Sequence, residues 1–281
     1  MVISATEVKA LRDTTGAGMM DCKAALTDAE GDIDRAVELL RERGLSKAGK
    51  RAGRETSEGV IGVAVDGGKA GIVELGCETD FVAKTDAFQD LAREIAEVVA
   101  SGGIEGAEAA SAAALGSFTV QERIHDTIAK VGENIELKRV GAFQTVGTVG
   151  RYVHMGGKLG VIVSLDGSGG EVDTLAKDLA MHVAAADPTP IAIDRDDVPQ
   201  AKVESERRIL TNQARESGKP DDVIEKMVTG RLNKFYAEHC LLEQAFVKDP
   251  DTTVGKRIEN VAKDIRVERF MRFKLGEAAT G

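Results

Sequence analysis

The chain has 281 residues, and 42% hydrophobic against 30% charged residues is the balance of a soluble protein with room for two domains or for one domain with appendages. Its formal net charge of −10 argues against broad nucleic-acid binding, DNA included, because displacing counterions from a phosphate backbone needs basic surface. Cys22, Cys77 and Cys240 are odd in number and far apart, so they read as reduced thiols rather than a disulfide framework or a metal site.

Ser4 to Glu7 has capping-box spacing and opens a first helix with Val8 and Leu11 on one face. Thr14-Thr15-Gly16-Ala17-Gly18 breaks it. A second helix fits Met19 to Ala29. A third fits Asp32 to Arg43, with Ile33, Val37 and Leu40 as its stripe and Gly44 beyond it. One of Met19 and Met20 is expected in the core, since adjacent helix positions point about 100° apart; an exposed Met is a soft contact for a partner. Arg41 to Arg54 then holds six basic residues against Glu42 and reads as a solvated linker, with attraction to an acidic partner or to RNA as the alternative.

From Gly59 the apolar period changes. Val60–Val65 and Ala70–Leu75 read as strands joined at Asp66-Gly67-Gly68, followed by a helix from Asp86 with a capping box to Gln89 and with Phe88, Leu91, Ile95 and Val99 at helical spacing. The pattern recurs. Gly67, Gly68, Lys69 and Gly71 match Gly156, Gly157, Lys158 and Gly160 at an offset of 89, and Leu91, Ala92 and Ala96 match Leu175, Ala176 and Ala180 at an offset of 84. This is a duplicated strand-strand-helix unit, and the first copy carries five extra residues between strand and helix (89 − 84). That interval contains Asp80 and Phe81, whereas its counterpart is the plain turn Asp166-Gly167-Ser168-Gly169-Gly170. Both copies share the needs of a scaffold, so what one copy adds is the better candidate for function. Gly102 to Gly116 reads as a mobile loop, Thr119 to Glu122 as the capped start of another helix, and Ile135 to Phe143 as a third strand.

Val198–Ser217 and Asp221–Leu242 read as two helices around Gly218-Lys219-Pro220, an antiparallel coiled-coil hairpin that serves as a strut or as a surface for partner or self association. After a helix near Thr253, the alternating run Val267 to Leu275 reads as a last strand returning to the core. The expected organisation is a three-helix module with its basic linker over 1–54, core subdomains over 55–143 and 144–194, the inserted hairpin over 195–240, and a returning module over 241–281. The fold class is α+β with antiparallel sheets.

Little points to bond chemistry. His125, His154, His182 and His239 form no metal-ligand spacing, and no phosphate loop, dinucleotide fingerprint or nucleophile elbow is present, so neither metal, cofactor nor enzyme activity is expected. His182 reads as structural, and His154 falls at a hairpin tip. Asp80 and Asp86 could be an acid pair, but acids at a helix start are more often caps. No stretch of about 18 apolar residues is present and the N-terminus lacks a basic region followed by an apolar run, so no membrane span is expected and a cytoplasmic location is.

Three segments carry a resemblance. Leu11–Lys23, with its Arg-Asp-Thr-Thr-Gly-Ala-Gly-Met-Met core, Thr79-Asp80-Phe81-Val82-Ala83-Lys84, and Leu241–Val247 closely resemble bacterial elongation factor Ts, in the expected order along nearly the whole chain. A common form of that family has Asn where Thr85 stands, a departure beyond the Asp-Phe pair. The resemblance implies a UBA-like N-terminal module and a guanine-nucleotide exchange factor that breaks no bond, acting on elongation factor Tu in its GDP-bound and nucleotide-free states during translation elongation. It implies that Asp80, Phe81, Val82 and Ala83 disturb the partner's magnesium. It implies too that Arg12, Met19, Met20 and His154 bind the partner.

Overall fold

The computed structural model describes residues 3–277, the side chains of residues 45–47 and 155 excepted. The described chain is mixed helix and strand and separates into two compact units.

The first unit runs to Phe143 and regains the chain at Val153–Leu159 and from Phe273 onward. It opens with α1 (Ala5–Thr15), α2 (Met19–Asp28) and α3 (Ile33–Arg51). Ser4 and Glu7 form the expected capping box, and Gly16 ends α1 at a φ of 68° that a residue without Cβ adopts freely. Val8, Leu11, Cys22, Ala25, Leu26 and Ala36 form the small core. Two expectations change here. Along the expected stripe of α3, Ala36 is buried while Ile33 and Val37 face solvent; a small side chain lets short helices approach closely. The basic stretch is also helix through Arg51 rather than linker. Ala48 is buried in the core of the neighbouring sheet, Arg41 pairs with Glu122, Arg43 with Asp28, and Arg54 lies 3.5 Å from Glu78.

β1 (Glu58–Asp66) and β2 (Lys69–Cys77) pair antiparallel, with Asp66 opposite Lys69 across the Gly67-Gly68 turn. After α4 (Asp80–Ala83), helix α5 (Asp86–Gly102) packs Phe88, Leu91, Ile95 and Val99 onto this hairpin. Gly62 makes that packing possible, since a Cβ there would lie 2.4 Å from the Ala92 carbonyl oxygen. The cap of α5 is Thr85, whose hydroxyl accepts from the Phe88 N–H, and not Asp86. The expected loop at 102–116 contains α6 (Ala107–Ala112) and the start of a short hairpin, β3 (Ala114–Leu115) with β4 (Phe118–Thr119). α7 (Val120–Val131) starts at the expected Thr119/Glu122 capping box, and β5 (Ile135–Gln144) completes a sheet of order β1-β2-β5. On this sheet the buried Glu74 carboxylate accepts from Arg139 Nε at 2.6 Å and from the Gly276 N–H at 3.2 Å. Arg139 also donates to the Lys274 carbonyl and lies over the Phe273 ring at 4.3 Å.

The second unit spans Gln144–Tyr152 and Gly160–Arg272. β6 (Thr148–His154), β7 (Leu159–Leu165) and α8 (Gly170–Ala185) repeat the strand-strand-helix pattern. Gly150 underlies Ala176 here as Gly62 underlies Ala92, which is the physical content of the internal repeat: glycine on a strand admits a helix backbone. α9 (Gln200–Arg215) and α10 (Asp221–His239) share a core of Leu210, Ala214, Ile224, Val228, Leu232 and Phe235. β8 (Ala245–Phe246), β9 (Asp249–Thr253), α11 (Val254–Val261) and β10 (Val267–Lys274) follow, and the sheet order is β10-β7-β6. In both sheets the added strand lies beside the second strand of the hairpin. His182 is structural, as expected. Its Nε2–H donates to Gln244 Oε1 at 2.9 Å and its Nδ1 accepts from the Val247 N–H at 3.2 Å.

Candidate functional site

The connection from β2 to α5 folds as a single helical turn with a built base. Thr79 caps α4, its hydroxyl accepting from the Val82 N–H. Glu133 holds Thr79 from below, accepting from its N–H at 2.9 Å and from its hydroxyl at 2.6 Å. Glu78 accepts from the Asn134 N–H at 2.6 Å, and Thr85 donates to the Val82 carbonyl at 2.8 Å before capping α5. One turn of helix is unstable by itself; here side chains before, after and beneath it satisfy its ends.

This base sorts the four residues singled out on α4. Val82 and Ala83 are buried and anchor the turn in the core of the first unit. Phe81 points the other way and is 80% exposed. The ring is thus left in water on a turn whose other apolar side chains are buried. Asp80 forms a 2.6 Å ion pair with Lys84, one turn on. The hydrogen bond from Lys84 draws the Asp80 carboxyl below its usual value, desolvation opposes this, and the charges of Lys84 and then Lys158 add to the lowering. The carboxylate is thus ionised at neutral pH. Lys84 at i+4 is a pairing the sequence shows; Glu133, from the connection before β5, is not.

Arg12 is exposed in the last turn of α1. Met19 and Met20 open α2, 42% and 75% exposed, so neither belongs to the core; Cys22, Ala25 and Leu26 fill it instead. These residues lie on the helical module, apart in sequence from α4. His154 is exposed at the end of β6, on the hairpin tip that belongs with the first unit. That tip packs on β1: Lys158 Nζ donates to Glu58 Oε2 at 2.7 Å. A cavity of about 270 Å³ between the α1–α2 loop, α3 and α7 is a poorer candidate for a ligand. Its wall cations are already engaged, Arg41 by Glu122, Arg123 by Glu94 and Lys130 by Asp126. Among the described residues no group of His, Cys, Asp and Glu is arranged to hold a metal ion, and no helix is long and apolar enough to cross a membrane.

The sequence model of the family described as "Elongation factor TS" matches residues 78–277. A protein of Hydrogenovibrio crunogenus named "Elongation factor Ts" is 47% identical over 280 residues, covering 99% of this chain and 92% of that protein. Proteins of the same name from Brucella anthropi and Thioalkalivibrio sulfidiphilus are 47% and 46% identical, each over 99% of this chain and over 94% and 93% of their own lengths.

Proposed function

Because the chain belongs to the elongation factor Ts family of translation elongation factors, we propose that it is a cytoplasmic guanine-nucleotide exchange factor: it binds elongation factor Tu carrying GDP, disturbs the magnesium site and releases the nucleotide. The observation that carries this reading is the exposed Phe81 on a turn whose other residues are tied down. Burying one Phe side chain contributes about 1.5–3 kcal/mol, available only when the ring enters a partner. Ring insertion therefore drives displacement of the partner elements that line the nucleotide. Magnesium is held largely through waters, phosphates and few protein groups, so small displacements loosen it. The Asp80 carboxylate, ionised and paired with the exposed end of Lys84, brings negative charge to the same contact. Arg12, Met19, Met20 and His154 supply affinity. No covalent bond changes, and the coupling is reciprocal: a factor that weakens GDP binding is itself bound less tightly by the GDP complex.

Release of a fluorescent GDP from elongation factor Tu, followed with increasing amounts of the chain, tests this. The chain accelerates release, and Phe81→Ala lowers the saturating rate by about tenfold or more, the equivalent of losing much of the ring's burial at the transition state. Complex formation without acceleration would instead identify a binding adaptor, and a Phe81→Ala variant impaired only in affinity would remove the wedge.

A further inference from the structure

We propose that Lys158, at the tip of the second repeat's hairpin, is a positioning residue that braces the Asp80–Phe81 turn of the first repeat. The inference rests on the exchange reading above and concerns how that turn is kept rigid. The brace begins with the tip's backbone. Gly157 has a φ of 92°, and a Cβ there would lie 3.2 Å from the Val60 side chain, so the tip lies directly on β1. Lys158 follows and is held twice. Its carbonyl accepts from the Leu275 N–H at 2.9 Å, and its ammonium donates to Glu58 Oε2 at 2.7 Å.

Glu58 stands at the end of β1 that faces the turn. It is opposite Cys77, the last residue of β2, in the strand register. The Cys77 thiol donates to the Thr79 carbonyl at 3.2 Å, and Thr79 caps α4. Three short links thus lead from Lys158 to the helical turn that presents Phe81. Lys84 and Lys158 both act on the Asp80 charge, and they differ in exposure. Lys84 pairs with it directly, but its side chain is 72% exposed. Lys158 acts through its charge and is fixed at both backbone and side chain. A partner that draws Lys84 away from Asp80 leaves Lys158 to hold the carboxylate's charge and the adjoining strand end. The second repeat has no Asp-Phe turn of its own; its contribution to exchange is this tip, which carries His154 and Lys158 together.

A brace affects the rate at saturation, because a looser turn transmits less of the ring's binding to the partner's nucleotide site, and it affects affinity less. Full-length wild type, Lys158→Gln, Lys158→Arg and Glu58→Gln are compared in the GDP-release titration, with thermal melting as the control for folding. Lys158→Gln is expected to lower the saturating rate about fivefold while the half-saturating concentration changes less than about twofold, on the scale of one half-exposed ion pair. Lys158→Arg, which keeps charge and donor, restores the rate. Glu58→Gln, which leaves the Lys158 charge near Asp80, falls between wild type and Lys158→Gln. The brace is overturned if Lys158→Gln releases GDP at the wild-type saturating rate, if its defect is confined to the half-saturating concentration, or if Arg fails to rescue. A wild-type chain that does not accelerate release overturns the exchange reading and the brace together, whereas acceleration by wild type and Lys158→Gln alike overturns the brace alone.

Discussion

Phe81 is exposed because its neighbours are not. Val82 and Ala83 turn into the core, Thr79 and Thr85 close the two ends of the turn, and the ring is left on the remaining side. Thr79 is the most consequential of these supports, since its hydroxyl both caps α4 and donates to Glu133. Thr79→Ala is expected to cost about 1 kcal/mol of stability, the usual loss for a helix cap, and to slow GDP release beyond what the small drop in melting temperature explains. Melting curves and release rates on the same samples check this, and unaltered release would show that the turn keeps its shape without the cap. At this scale Asp80 and Phe81 were readable, because the first repeat carries them and the second does not. The support from Glu133 was not, because it crosses 54 positions of sequence. Nor was the exposure of both Met19 and Met20, since an apolar residue at a helix start fits a core and a contact surface equally well.

Elements show where local pattern is overruled by packing. The basic stretch after Arg41 has the composition of a solvated linker, yet it continues α3 to Arg51 because Ala48 buries against the first sheet and acids on neighbouring elements meet its arginines. Burial of His182 on α8 gives an element-scale prediction. Its neutral ring donates from Nε2 and accepts at Nδ1, and burial lowers its pKa below the ordinary imidazole value, opposed in part by Gln244. The unfolded chain therefore takes up a proton here at a higher pH than the folded one. Stability from this site is present above about pH 6.5, the ordinary imidazole value, and is lost as pH falls below it. Melting temperature is expected to drop between neutral and mildly acidic pH. His182→Gln is expected to flatten part of that slope, with His125, also lowered by burial, retaining its own share. An unchanged slope in the variant would assign the pH dependence to other groups.

For the whole molecule, the decisive feature is that the first unit is discontinuous in sequence: the chain from Phe273 onward rejoins it. The return is held by a charge. Glu74 is almost fully buried, and Arg139 and the Gly276 N–H satisfy it while Arg139 grips Lys274 and Phe273. Removing one member of a buried pair leaves the other uncompensated, so Arg139→Ala is expected to lose about 3–5 kcal/mol. Replacing both Glu74 and Arg139 with apolar residues of similar volume is expected to cost far less. Denaturant unfolding of the two variants decides this, and equal losses would show that packing on Phe273, rather than charge, secures the return.

The sequence by itself determined the α+β class, the capping boxes at Ser4 and Thr119, the Gly67-Gly68 hairpin, the repeat, and the Asp80–Phe81 addition that one copy alone carries. All of these depend on residues within a few positions of each other or on comparing the chain with itself. Only the tertiary structure decided that the basic stretch is helix as far as Arg51, that Ala36 rather than Ile33 faces inward, that the stretch after α5 contains a helix and a short hairpin, that Glu133 holds the turn bearing Phe81, and that Lys158 pairs with Glu58. These depend on which distant surface comes into contact. Small side chains permit close approach there, and a charge takes its partner from another element, which spacing along the chain does not encode.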